Sequence, residues 1–463
     1  MIETFKKDWL SNMQTDLLSS FVVGLSMIPE TAGFALMVGL SPMVAFYTTF
    51  CMSIVVAILG ARKAMISAAA GSVGLILVVL AKNYGVEYVG LATIMTGFIQ
   101  ILFGIFKVGK LLKFIPQAVM FGFVNALGIM LFKDQIHFFI GQGYMMYILV
   151  GIGLAIIYLF PLLTKKIPSN LIAIIVVTAI VMIFKIKVPN LGTIGPIKAG
   201  LPPFTLPLVP ITIQNLLIIL PYAFSLAIVG TIESLLTAQN LDEIIGDENS
   251  NKNRETIAQG CGNIVSGFFS GMTGCALVGQ STINSKSGAK TRLSTIFAGI
   301  SLMALVSIFS NYVVQIPIAA LVAVMIMISI TTFNWDSVKN IKTIPISDTV
   351  IMIITVISVL FTGNLAIGVV IGVILAAFNL MYNLSKINIT KKMQGKEIYY
   401  TTSGYLFFAT SNELKDTLTE TKEVKKIILD ISKSKILDST FEKSMNQAKD
   451  ILNSKSIELT IIK

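Results

Sequence analysis

Residues 226–240, LAIVGTIESLLTAQN, place a carboxylate, Glu233, inside an apolar run. At the centre of a bilayer an acidic side chain costs about 2.5–3.5 kcal/mol on insertion scales, so it needs a cation, a hydrogen-bond donor or a proton. On a helix, Gly230, Glu233 and Thr237 share one stripe. Gly230, Ser234 and Ala238 form a row of small residues along which another helix can approach closely. This spacing predicts that Glu233 faces a central cavity, with Thr237 as a neighbouring oxygen ligand or donor. The competing, purely structural reading has Glu233 bonding buried backbone in a broken helix.

The composition sets this run in a membrane. Of 463 residues 54% are hydrophobic and 13% charged, whereas a soluble domain carries about a quarter charged residues. Windows such as LLSSFVVGLSMIPETAGFALMVGL are long enough to cross ~30 Å of hydrocarbon. The start, MIETFKKDWL, is basic and amphipathic, and the run behind it is interrupted by Pro29 without a small-residue cleavage site, so it reads as a retained first span. Cys51, Cys261 and Cys275 sit in or beside apolar spans and suggest neither a disulfide framework nor a metal cluster. No GxxxxGK[ST] loop is present, which argues against transport driven by ATP hydrolysis. No nucleophile, base and orienting group cluster, so the chain does not read as an enzyme. The single histidine, His137, lies at an outer span end and reads as interfacial.

About fourteen apolar segments begin near residues 17, 41, 66, 87, 115, 144, 168, 212, 255, 274, 293, 315, 346 and 364. With a cytoplasmic N-terminus, the inner connections carry fourteen Lys and Arg and the outer ones five, a positive-inside pattern. Topology therefore explains the net charge of +11, and nucleic acid is not an expected partner. The acidic DEIIGDENSNKNRE reads as a solvated cytoplasmic loop. A Pro- and Gly-rich stretch, VPNLGTIGPIKAGLPPFTLPLVP, follows the seventh segment and divides the membrane part in two. Seven segments per half make the halves run in opposite directions, as in an inverted repeat.

Unusual features then recur at matching places. The first segment of one half carries Glu30, just after Pro29, and the first of the other carries Glu233. The third segment of each half opens on small residues, MISAAAGSVGLIL at 65–77 and GMTGCALVGQSTI at 271–283. Both read as half-helices starting inside the membrane. Such a start presents unpaired N–H groups and a partial positive charge, which suits an anion. Two of them would make an anion site with almost no basic side chain. Close packing is the bland reading of either run alone.

Three stretches carry a resemblance: VVGLSMIPETAGFALMVGLSPMVAFYTTF, PQAVMFGFVNALGIM, and ESLLTAQNLDEIIGDENSNKNRETIAQGCGNIVSGFFSGMTGCALVGQSTINSKSGAKTRLS. They resemble the signature regions of the SulP family of anion transporters. The tail, with GYLFFAT and IILDISKSKILDST, resembles the STAS domain of that family. The resemblance implies an all-α polytopic membrane protein of fourteen spans in a 7+7 inverted repeat, whose core domain moves past a gate domain as an elevator. Residues 1–385 would form it (repeats about 14–200 and 210–385), and 386–463 a short cytoplasmic α/β domain. By motif position, the anion site would be lined by Glu30, Phe34, Ala70, Gly71, Ser72, Cys275, Ala276, Leu277, Gly279 and Gln280. Glu233 and Thr237 match the positions that hold a coupling H+ or Na+; no other cofactor or metal is implied. A homodimer in the cell (inner or plasma) membrane, with both termini cytoplasmic, is implied as well.

Two departures bear on substrate. Many members have Gln at the position of Glu30 and Arg at that of Gln280. Losing a cation and gaining an anion disfavours sulfate unless H+ or Na+ compensates, and favours a monovalent anion such as bicarbonate. In the tail, Asp438, Ser439 and Thr440 match a loop phosphorylated in related anti-sigma-factor antagonists, which makes Ser439 a candidate regulatory phosphosite. The usual following Gly is Phe441 here, and the tail stops after IELTIIK, where the family fold continues. The soluble part otherwise reads as paired strands in EIYYTTSGYLFFAT, a buried strand in EVKKIILDIS, an amphipathic helix in TFEKSMNQAKDILNS and a last strand in IELTIIK. The expected function is secondary active uptake of a small inorganic anion of the bicarbonate or sulfate class. The alternatives are a nucleobase:cation symporter on a related fold and a non-transporting sensor with a STAS output.

Overall fold

Apolar runs separated by glycine and proline become helices that end where those residues stand. The first helix, α1 (Met13–Val38), stops at Gly39 with φ 84°, and Pro42 opens α2 (Pro42–Leu59). The computed structural model describes residues 6–110, 115–164, 168–193, 197, 200–245, 250–421 and 424–462. It divides into two compact units, 1–373 and 374–463.

A short strand β1 (Ser67–Ala69) leads into α3 (Gly71–Tyr84), followed by α4 (Tyr88–Ile105), α5 (Gln117–Phe139), α6 (Tyr144–Leu163) and α7 (Ser169–Ile183). The second half repeats the order. It runs through α8 (Ile213–Ile245), α9 (Lys252–Phe268), β2 (Gly274–Ala276), α10 (Val278–Lys286), α11 (Arg292–Ile308), α12 (Ile318–Thr332), α13 (Ile346–Thr362) and α14 (Leu365–Leu384). Among the described residues, seven helices are long and apolar enough to cross a membrane by length and composition, and five more are apolar but shorter. At 1.5 Å per residue, the 14 residues of α3 and nine of α10 reach only about 21 and 14 Å, less than a bilayer core. They are the two half-helices the small-residue entries predict.

The packing repeats when the halves are exchanged. Helix α4 lies on α8 and α9, and α11 lies on α1 and α2; likewise α5 lies on α13, and α12 on α6. The α4–α9 crossing brings backbones together, since a Cβ on Gly97 would stand 2.5 Å from the carbonyl oxygen of Gly260. Helix α9 is polar for a membrane segment of its length. It buries Glu255, Gln259, Asn263 and Ser266 between α2, α4 and α8, which spares it any need to be apolar.

The second unit is a four-stranded sheet in the order β3 (Asn388–Gln394), β4 (Glu397–Leu406), β5 (Lys426–Ile436), β6 (Glu458–Ile462). The β3–β4 pair is antiparallel and the rest parallel, with α15 (Phe408–Thr419) and α16 (Thr440–Ser454) as crossovers. Its core joins Ile398, Leu406, Ile427 and Leu429 to Leu414, Leu418, Phe441 and Leu452. EIYYTTSGYLFFAT is therefore not a strand pair. It is one strand whose antiparallel partner precedes it, and its end opens α15, where the Thr410 hydroxyl accepts from the Phe407 N–H at 3.0 Å.

Candidate functional site

The strands β1 and β2 pair antiparallel across the two halves, Ser67 opposite Ala276, Ala68 opposite Cys275 and Ala69 opposite Gly274. The N–H of Leu277 extends the ladder by donating to Ile66 O at 2.9 Å. Because each strand runs directly into its half-helix, this pairing fixes the two N-termini at opposite ends of one three-residue ladder. Neither Ala70 before α3 nor Leu277 before α10 caps its helix with a side chain. The first-turn N–H groups are thus left without side-chain acceptors.

Polar side chains lock the crossing. Asn263 of α9 donates to Gly274 O at 3.0 Å, accepts from Gly274 N at 2.8 Å and donates to Gln100 Oε1 at 2.8 Å. One turn earlier, Gln259 donates to Ser67 Oγ at 2.8 Å. From α10, Ser281 Oγ accepts from Ile66 N at 2.9 Å, and Asn284 donates to Ala64 O at 3.0 Å.

The two carboxylates reach across the repeats. Glu233, on α8 of the second half, accepts from the Ser72 hydroxyl in the first turn of α3 and from Cys275 Sγ of β2 at 3.2 Å. Glu30, on α1 of the first half, accepts from the Gln280 amide in the first turn of α10. Each acid therefore stands beside the half-helix of the other repeat, where the positive end of the dipole favours negative charge. Phe34 packs against Gly71, where a Cβ would lie 2.8 Å from the ring and 2.9 Å from Leu131. The start of α10 is open by contrast, since a Cβ on Gly279 would meet nothing within 4 Å.

Glu30, Phe34, Gly71, Ser72, Cys275 and Gln280 are thus in mutual contact in pairs, with Ala70, Ala276, Leu277 and Gly279 between them on the strand ends and first turns. Thr237 stands one turn beyond the acid on α8. Its hydroxyl donates to the backbone oxygen of Glu233 at 2.8 Å and stands 3.5 Å from Ala276 O. The small-residue row works as a seat: Ser234 Oγ accepts from Ala276 N at 3.1 Å, and Gly230 admits the Gln100 amide. In the second unit Ser439 is exposed at the start of α16. Asp438 beside it accepts from the N–H groups of Phe408 and Thr440, each at 2.9 Å. The Phe408 N–H, first among these, holds the Asp438 carboxyl below the usual carboxylate range.

Two further acids are buried: Asp16, which the sequence reading did not single out, and Glu255, which it placed at the end of a solvated loop but which lies inside α9. Asp16 accepts from Thr291 Oγ1, from Lys290 N at 2.8 Å and from Asn12 Nδ2 at 3.0 Å. Glu255 accepts from Ala61 N at 2.7 Å, Arg62 N at 3.1 Å and Gln259 at 3.1 Å. Both hold loops by backbone amides and touch neither half-helix start. The only signal available was their place at the polar ends of apolar segments, where carboxylates are ordinary. Glu255→Gln leaves two buried amides sharing a poorer acceptor, at about 1–3 kcal/mol. We expect a lower melting temperature in detergent for this variant, with the cation dependence of the folded fraction unchanged; a changed dependence would make Glu255 part of the site.

An inverted repeat whose halves meet through paired strands, each leading into a short helix, is the architecture of a membrane transporter. Residues 13–146 and 143–355 match the sulfate permease family, and the chain belongs to that family. Among its relatives, YbaR of Bacillus subtilis (strain 168) is 43% identical over 438 residues, spanning 94% of this chain and 91% of that one. The transmembrane domain of the cyanobacterial bicarbonate transporter BicA superposes with a TM-score of 0.68 at 25% identity, over 79% of this chain and 98% of that one. The murine anion transporter Slc26a9 in its inward-facing state has the same fold, with a TM-score of 0.82 at 17% identity over 98% of this chain and 86% of that structure. The protein is an anion transporter of the membrane, not an enzyme.

Proposed function

We propose that the chain is a cation-coupled importer of a small inorganic anion, bound between the starts of α3 and α10, with H+ or Na+ at Glu233. The observation that carries this reading is the β1–β2 crossing, which holds two uncapped half-helix N-termini beside a carboxylate bonded by Ser72. An anion there would face two acids, so a compensating cation is needed for the three to coexist. Alternating access would come from the core helices α1–α4 and α8–α11 sliding along the gate helices α5–α7 and α12–α14. A second copy in the membrane, cytoplasmic termini and a STAS role for the second unit belong to the same proposal. There Ser439 is exposed and its loop is held by Asp438, a geometry open to a kinase.

Substrate charge follows from the Glu30–Gln280 pair. The Gln280 amide is engaged by Glu30, so the α10 end offers a diffuse dipole and a nearby acid, which suits a monoanion of the bicarbonate type over sulfate. In the double variant Glu30→Gln, Gln280→Arg, sulfate uptake should rise at least tenfold relative to bicarbonate. An unchanged ratio would remove the pair from selectivity. The overall reading is tested by radiolabelled bicarbonate, sulfate and chloride flux into proteoliposomes, repeated with pH and Na+ gradients collapsed. Gradient-dependent accumulation of one of these anions supports it; no flux of any, with nucleobase also inert, leaves a sensor.

A further inference from the structure

Helices α1 and α7 and the end of α11 enclose a cleft of about 420 Å³. Its walls bring Leu25 and Pro29 of the core bundle against Ile174 and Ala179 of the gate bundle, with Phe309 and Tyr312 at one end. Thr178 and Tyr312 supply the only side-chain polar atoms among its fourteen lining residues, and the Thr178 hydroxyl is buried without a partner. A held water needs two to four polar partners, so this cleft is too apolar to be stably hydrated. Left unfilled, it would forfeit dispersion contacts along its whole length.

What fills it is indicated by its continuity with the membrane surface. Ile175 is 54% and Phe309 48% exposed, and both line the cleft while facing outward. Ile175 continues along α7 to the exposed Met182 and Ile183, with Phe184 just past the helix end also exposed. A contiguous apolar face of this kind on a membrane span meets hydrocarbon. We propose that a bilayer lipid inserts an acyl chain into this cleft as a resident ligand, wedged between the core and gate bundles. Its walls belong to both bundles, so any motion of one against the other must reshape the lipid's seat. The naming of core and gate bundles rests on the proposed function; the lipid seat itself rests on the membrane setting and the cleft, and it stands whether or not the anion site is as proposed.

The test uses the full chain in phosphatidylethanolamine–phosphatidylglycerol vesicles doped with a phosphatidylglycerol whose acyl chain carries a diazirine. After photolysis, labelled positions are mapped by mass spectrometry. Labelling per unit of exposed area should be at least threefold higher at Ile174, Ala179 and Phe309 than at Leu162 and Phe361, which are 81% and 89% exposed. Ala179→Trp should abolish the excess, and the milder Ala179→Leu should reduce it, with labelling at Leu162 and Phe361 unaltered. Labelling that simply tracks exposure would overturn the proposal, as would wild-type labelling in Ala179→Trp. Cross-links at the cleft to a second copy of the chain would also overturn it.

Discussion

Glu233→Gln is expected to abolish gradient-driven accumulation of the anion, by at least 100-fold, while the protein still inserts and folds. The carboxylate is held by Ser72 and Cys275, and both contacts survive in amide form with altered donors, so the loss would be one of charge and not of shape. The fate of anion exchange at zero gradient then separates the coupling ions. If H+ is the coupling ion, Gln imitates the protonated acid and exchange persists without accumulation. If Na+ is, the cation has lost its charged ligand and exchange falls as well. Accumulation at the wild-type level would return Glu233 to a structural role. The measurement is paired flux, with and without an imposed gradient, at matched protein content.

Gly274→Ala is the second large effect. A Cβ at this position would lie 2.6 Å from the carbonyl oxygen of Ala68 and 3.0 Å from Thr48 Cγ2, and a backbone oxygen inside a ladder has nowhere to move. The backbone of Gly274 is itself bonded at both polar atoms to Asn263. Overpacking of this kind costs about 1–3 kcal/mol. Because the same ladder sets the starts of both half-helices, uptake per folded molecule should fall more than tenfold, beyond what the stability loss explains. Gly151→Ala, on α6 where a Cβ meets nothing within 4 Å, is the matched control and should leave melting temperature and uptake near wild type. Equal effects of the two substitutions on uptake would mean that the crossing does not position the site.

The membrane architecture was readable because it depends on quantities a sequence carries directly: run length, charge placement and the recurrence of Glu30 with Glu233. The half-helices announced themselves through small residues, which have few reasons to cluster inside a span. The crossing itself was not readable. It pairs residues more than 200 positions apart, and three alanines and serines in a row do not look like a strand until their partner is known. Helix α9 shows a related limit, since its polar residues satisfy one another only after α2, α4 and α8 surround them. The reach of each acid to the opposite repeat is likewise a property of the assembled halves. In the second unit the local alternation of GYLFFAT suggested strand, but Leu414 and Leu418, four apart and both buried, decide for helix after Phe407.

The most direct test of the account is thermodynamic linkage between anion and cation. If the anion rests at the two half-helix starts while a cation neutralises Glu233, each must tighten the other by the same factor. Anion affinity of the purified protein, titrated across a range of Na+ concentration at fixed pH and of pH at fixed Na+, should rise at least tenfold along one of the two axes, and Glu233→Gln should flatten that rise. Affinity independent of both ions in the wild type would contradict the account.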